Sequence, residues 1–214
     1  MTSFPIAMSL TAVLMAGSGS SDTVAFHGPG GPIPDNDAIG MITPVVIDQS
    51  FPIESIAVRI NGFQHSYSSD LTIELRHVGV SEPVLLLTNL RFGEDADFDG
   101  DYTFADDGED LWVVAQNFSG TEDLPPGTYQ ATGAGGDFVS LDDAFVGEDA
   151  QGAWILRIYD DDFLVAGAFE SWDLILGGVP ACPGDIPGDA NGDGVVDLAD
   201  LNLVLANFGA NCAD

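Results

Sequence analysis

Between residues 24 and 178 the chain alternates apolar and polar positions with a period of two and shows almost no helical periodicity. Ile56, Val58 and Ile60 alternate with Ala57, Arg59 and Asn61, and Leu71, Ile73 and Leu75 alternate with Thr72, Glu74 and Arg76. Further on, Trp154, Leu156 and Ile158 alternate with Ile155, Arg157 and Tyr159, and Trp172, Leu174 and Leu176 with Asp173 and Ile175. Successive side chains of a strand point to opposite faces, so each run predicts an antiparallel strand with one face on a core. Residues 84–87 are continuously apolar and predict a strand buried on both faces. Gly, Pro, Asn and Asp punctuate the runs. Several short strands of this kind predict an all-β fold, a jelly-roll β-sandwich. Trp154 and Trp172 stand at inward parity and belong to its core rather than to a sugar-stacking surface. His65 reads as a cross-strand hydrogen-bonding residue beside Tyr67 rather than a catalytic base, and Asp70 as the pin of a turn into its strand.

The pattern changes near the C-terminus. Leu201, Val204, Leu205 and Phe208 are spaced i, i+3, i+4, i+7 and predict a helix ending at Gly209. Before them runs Asp189-Ala-Asn191-Gly-Asp193-Gly194-Val195-Val196-Asp197-Leu-Ala-Asp200, with oxygen-bearing side chains at loop positions 1, 3, 5, 9 and 12 and glycine at 6. A hard divalent cation such as calcium takes six to eight oxygens at about 2.3–2.6 Å, and this spacing wraps them around one ion. Asp189, Asn191 and Asp193 offer side-chain oxygens, and Val195 its backbone carbonyl. Asp197 acts directly or through water, and Asp200 closes the shell. Without the ion these carboxylates repel one another, so Ca2+ is the expected cofactor and the loop is expected to order on binding it.

Composition narrows the function. The chain has 214 residues, 45% of them hydrophobic, which allows one sizeable domain and a small module. Four arginines, no lysine and 35 acidic residues give a net charge of −31. Nucleic acid and anionic membrane surfaces are therefore excluded as expected partners, because phosphate contacts need basic side chains. Aspartate outnumbers glutamate 27 to 8, which favours loops and metal ligation. A chain this acidic repels itself at low salt, and saline surroundings or bound calcium relieve the repulsion. The densest acidic stretch, residues 94–110, includes Asp97, Asp99, Asp101, Asp106 and Asp107. It reads either as a second calcium site, completed by Asp160, Asp161 and Asp162, or as a solvated acidic loop.

Cys182 and Cys212 bracket the calcium motif and are expected to form a disulfide. Closing a loop of about 30 residues contributes roughly 3.5–4 kcal/mol by chain-entropy arithmetic. The N-terminal apolar stretch from Pro5 to Ala16, followed by small residues, reads as a signal-peptide core. It lacks a positive leading region, since no Lys or Arg precedes Arg59, so export rests on the disulfide and calcium arguments. The expected organisation is a signal-like segment at 1–22, a sandwich at 24–178, a breaker-rich linker at 179–187 and a calcium module at 188–214. Asn117-Phe-Ser119 matches the glycosylation sequon. Catalytic motifs are missing: the sequence contains no G-x-S-x-G, no H-E-x-x-H and no C-x-x-C. With 35 acids some carboxylate pair always lies at a plausible distance, so such pairs carry no weight. The chain is expected not to be an enzyme, with no catalytic residue assigned.

Two resemblances add to this reading. The segment from about 185 to 210 resembles a dockerin repeat, the calcium-binding module of cellulosome proteins, in which aspartate at the last loop position is usual. Dockerins pair two repeats to build the surface that binds cohesin, whereas this chain carries one, so the resemblance implies calcium more directly than it implies cohesin. In the main body, Ile33-Pro34-Asp35-Asn36-Asp37 is placed before the first strand, and His65-Ser66-Tyr67 leads into Asp70-Leu71. Phe145-Val-Gly147, Gly152-Ala-Trp154 and Gly167 through Trp172 to Leu176 follow in order. Together these resemble the P domain (Homo B domain) that follows the catalytic domain of proprotein convertases and many bacterial subtilisin-like proteases. That likeness implies a jelly roll of about eight strands. Three functions follow as expectations. The first is a secreted bacterial, non-catalytic calcium-binding module for binding or extracellular assembly, with a protein or glycan partner. The second is an accessory P domain detached from a subtilisin-like serine endopeptidase. The third is a component of a polysaccharide-associated hydrolase.

Overall fold

A computed structural model describes residues 23–90, 96–118, 120–178 and 198–206. In chain order the elements begin with β1 (Thr23–Ile33), β2 (Asp37–Ile47), β3 (Ser55–His65), β4 (Leu71–His77), β5 (Val84–Thr88) and β6 (Asp97–Glu109). After α1 (Leu111–Ala115) come four short strands, β7 (Asp123–Leu124), β8 (Gly127–Tyr129), β9 (Ala131–Thr132) and β10 (Phe138–Val139). The order closes with α2 (Leu141–Phe145), β11 (Gly152–Asp160), β12 (Gly167–Gly177) and α3 (Leu198–Ala206). The expected all-β sandwich is observed. One sheet runs β1-β12-β3-β6-β7, with β8 also on β6, and the other runs β10-β9-β5-β4-β11-β2.

The inward parity predicted from sequence is the parity observed. Val58, Ile60, Leu71, Ile73, Leu75, Trp154, Leu156, Ile158, Trp172, Leu174 and Leu176 all lie in one buried cluster between the sheets. Burying each such side chain is worth about 1.5–3 kcal/mol, which makes this cluster the main force closing the sandwich. Trp172 joins the sheets as well as filling them. Its indole Nε1 donates to Thr43 Oγ1 (3.3 Å), and that hydroxyl donates to the Pro29 carbonyl (2.7 Å). Strand β1 crosses directly over the indole at Gly28, where an added Cβ would fall 1.9 Å from Nε1. Pro29 and Pro32 in β1 and Pro44 in β2 sit on the outermost strands of their sheets, where proline is tolerated.

Three expectations change. The Ile33-to-Asp37 stretch does not precede the first strand; it is the turn from β1 into β2, with Asn36 at φ 49°. The run at 84–87 is only half buried on one side: Leu86 and Leu87 are in the core, whereas Val84 and Leu85 are intermediate. The acidic stretch is no loop. Its described part is β6, whose Phe98, Tyr102 and Phe104 face the core between outward Asp99, Asp101 and Thr103. The aromatic alternation decides the structure there, and the acids occupy its solvent face.

Candidate functional site

Of the residues assigned to calcium, Asp200 is described, and those from Asp189 to Asp197 lie outside the described residues, as do Cys182 and Cys212. Helix α3 begins at Leu198, three residues before the predicted apolar face, so loop positions 10–12 form its first turn. Asp200 is only 2% exposed, whereas Leu198, Leu201, Leu203, Val204 and Leu205 are 41–73% exposed. The predicted helix is present, and on it Leu201, Val204 and Leu205 of the predicted apolar face are exposed. A carboxylate turned inward while its aliphatic neighbours turn outward is the reverse of what transfer energies favour, unless the carboxylate has something to hold. Asp200 has such an engagement. The residue types of the loop, oxygen donors only, suit a hard cation, which when bound would draw the loop oxygens together with no redox or acid chemistry of its own.

The candidate second calcium residues are not gathered. Odd-numbered residues of a strand share a face but stand about 6.6–7 Å apart, so Asp97 and Asp101 lie roughly 13 Å from one another. Three of the five are engaged elsewhere. Asp99 accepts from Gln64 Nε2 at 3.0 Å. Asp101 accepts from the Gly62 amide at 2.9 Å and from Arg59 Nη2 at 2.7 Å, and these two donors, the amide first, hold its carboxyl below the usual range. Asp106 caps the start of α2, taking Ser140 Oγ at 2.5 Å and the Leu141 amide at 2.8 Å. Next to it the Asp142 carboxyl is pushed up, first by burial and then by the Asp106 charge. Among the described residues no group of three or more His, Cys, Asp or Glu side chains is arranged to hold a metal ion.

Asp160, offered as a ligand completing that site, is a core residue. Its Oδ2 meets His65 Nε2 at 3.0 Å with both side chains essentially inaccessible (0% and 1%). Its Oδ1 accepts from the Asp162 amide at 3.0 Å. The contact ties the end of β3 to the end of β11 across the sandwich. Among the described residues Nδ1 of His65 is buried with no partner, and no hydroxyl or thiol is placed for His65 to activate. The expected cross-strand structural role fits, with Asp160 rather than Tyr67 as the neighbour. Asp160 had a signal in the sequence: it continues the inward series 154, 156, 158 and so is a carboxylate at a core position.

The other histidines are separate. His77 stacks on Trp154 with ring centroids 4.2 Å apart, and its Nε2 donates to the Gln151 carbonyl at 3.2 Å. His27 Nδ1 lies 2.5 Å from Asp173 Oδ1 on the exposed face of the first sheet, and Asp173 also accepts from Asn61 Nδ2 at 3.0 Å. The structure does not bring the three imidazoles together.

No protein-family model matches the chain, and no curated protein matches it. Among solved structures, the serine protease of Aeromonas sobria in complex with the chaperone ORF2 aligns with a TM-score of 0.44 at 18% identity. A second crystal structure of a serine protease of Aeromonas sobria aligns with a TM-score of 0.43 at 17% identity. Both alignments cover 74% of this chain and 27% of the other, so the matched part spans about a quarter of those chains.

Proposed function

We propose that this chain is a non-catalytic β-sandwich module with a calcium-binding tail, used to bind a partner in an extracellular assembly. The observation that carries the reading is Asp200, the twelfth residue of the oxygen-rich loop, turned inward on a helix whose leucines face out. The histidine environments support the non-catalytic part: of the two buried imidazoles, one is locked to Asp160 and the other is stacked on Trp154. Calorimetric titration of the full chain is expected to show one calcium ion, lost in Asp189→Asn/Asp193→Asn. Thermal melts are expected to rise with calcium and fall with chelator, since the ion binds only the folded loop. A heat signal unchanged by the double substitution would sink the proposal.

A second reading is favoured by one contact. The P-domain-like order of motifs includes the blocks around His65 and around Trp154 to Asp160, and the His65–Asp160 pair pins those two blocks together in space. On this reading the sandwich stabilises a subtilisin-like catalytic domain. Adding the chain in trans to such a domain expressed without its own P domain is expected to raise the yield of active protease. Equal yields with and without the chain refute it.

A further inference from the structure

The outer face of the second sheet carries a groove of about 210 Å³ lined by Ile42, Glu74, Arg76, Pro83, Ile155 and Arg157. It holds two of the chain's four arginines. The register explains how. Pro44 of β2, Ile155 of β11 and Arg76 of β4 lie in one cross-strand row, and Ile42, Arg157 and Glu74 in the next. Their side chains all leave the sheet on the side away from the core.

The two arginines differ in what they have left to give. Arg157 is engaged on all three nitrogens: Nη1 meets Glu74 Oε2 at 3.0 Å, Nε donates to the Ile39 carbonyl at 3.0 Å, and Nη2 donates to the Ala38 carbonyl. It also lies 4.3 Å over the Tyr159 ring. Arg59, on the other sheet, pairs with Asp101. Arg76 has no ion-pair partner among the described residues and stands exposed. In a chain with 35 acidic residues, a guanidinium left with its full fork of donors is the exception. Beside it the walls are aliphatic and open: Ile42 is 50% exposed, and Val46 further along β2 is 72% exposed.

We infer that this groove is a docking site for a protein segment that presents an aliphatic side chain next to a carboxylate. The carboxylate accepts two parallel N–H bonds from one edge of the Arg76 guanidinium, and the aliphatic group covers Ile42, Ile155 and Pro83. Bidentate Arg–carboxylate pairing supplies direction, and the aliphatic contact supplies most of the burial. A sugar is the less suitable occupant, because the lining contains no aromatic ring to stack on a pyranose. The floor is β11, paired on both sides by β4 and β2, so the groove needs no backbone rearrangement to accept its ligand. This inference goes beyond the calcium tail and needs no metal.

The test uses the full chain labelled at isoleucine methyls, in excess chelator so that loss of the calcium tail cannot decide the outcome. The probes are N-acetyl-Leu-Asp-Leu amide, its Leu-Asn-Leu counterpart and a galacturonate trimer. The aspartyl peptide is expected to shift the Ile42 and Ile155 methyls saturably. Binding is expected to weaken at least tenfold with the asparaginyl peptide and with Arg76→Gln, and less with Arg76→Lys. Arg76 is exposed, so Arg76→Gln should melt like the parent, and Ile155→Ser gives an independent loss from the aliphatic side. Equal binding by Arg76→Gln, or no methyl shift at millimolar peptide, overturns the inference. Shifts produced by galacturonate and not by the peptide overturn it in favour of a glycan site.

Discussion

Tyr102 ties three segments together through one oxygen. Its hydroxyl donates to the Leu124 carbonyl at 2.6 Å and accepts from the Asp99 amide at 3.1 Å, while its ring packs edge-on against Phe98 and Phe63. Burial, the largest influence, pushes the phenol up to about 12 from 10.0. A proton held more tightly in the folded than in the unfolded chain gives stability that is complete below pH 10 and lost as pH climbs through 12. Tyr102→Phe removes both hydrogen bonds and strands a buried carbonyl, at a cost of about 1–2 kcal/mol. Urea midpoints from pH 8 to 12 are expected to start lower in Tyr102→Phe and to fall less steeply above pH 10. Parallel curves for the two proteins contradict the assignment.

At the scale of elements, alternation was legible wherever one face of a strand is apolar and the other polar, as in β3, β4, β11 and β12. It failed where both faces look alike. In β2, Pro44 and Val46 point outward between inward Thr43, Val45 and Ile47, and the contrast disappears. In β1, five glycine and proline residues in a row interrupt the pattern, although the strand pairs with β12 along nearly its whole length. In β6 the density of aspartate hid the aromatic series beneath it. The loop joining β11 to β12 offers an element-scale prediction. Leu164 sits there at φ 98°, a left-handed conformation that leucine disfavours, with its amide donating to Asp35 Oδ1 at 3.0 Å. Its side chain is 92% exposed, so nothing is lost in packing when it is removed. Leu164→Gly is therefore expected to raise unfolding stability by on the order of 1 kcal/mol, because glycine adopts this φ without strain. A lower urea midpoint in the variant contradicts that account.

Across the whole molecule, the sequence told what kind of parts exist more readily than which of them meet. The sandwich follows from alternation, and the calcium motif from spacing along one stretch of chain. The His65–Asp160 pair joins residues 95 positions apart, and its carboxylate looked like the first of three loop acids. Arg76 looked like any outward residue of β4; that its neighbours leave it uncompensated is a property of the folded surface alone. Similarly, the charge of −31 reads as uniform repulsion in the sequence, yet the fold collects two of the four arginines around a single aliphatic depression.

The prolines on β1 have a consequence at still larger scale. In β1 the register runs unbroken from Pro29 to Pro32, so one of the two turns its missing N–H outward, and a strand from a second molecule laid along that border would meet a gap in the ladder. Copies can then stand shoulder to shoulder at high density without zippering into fibrils through that border.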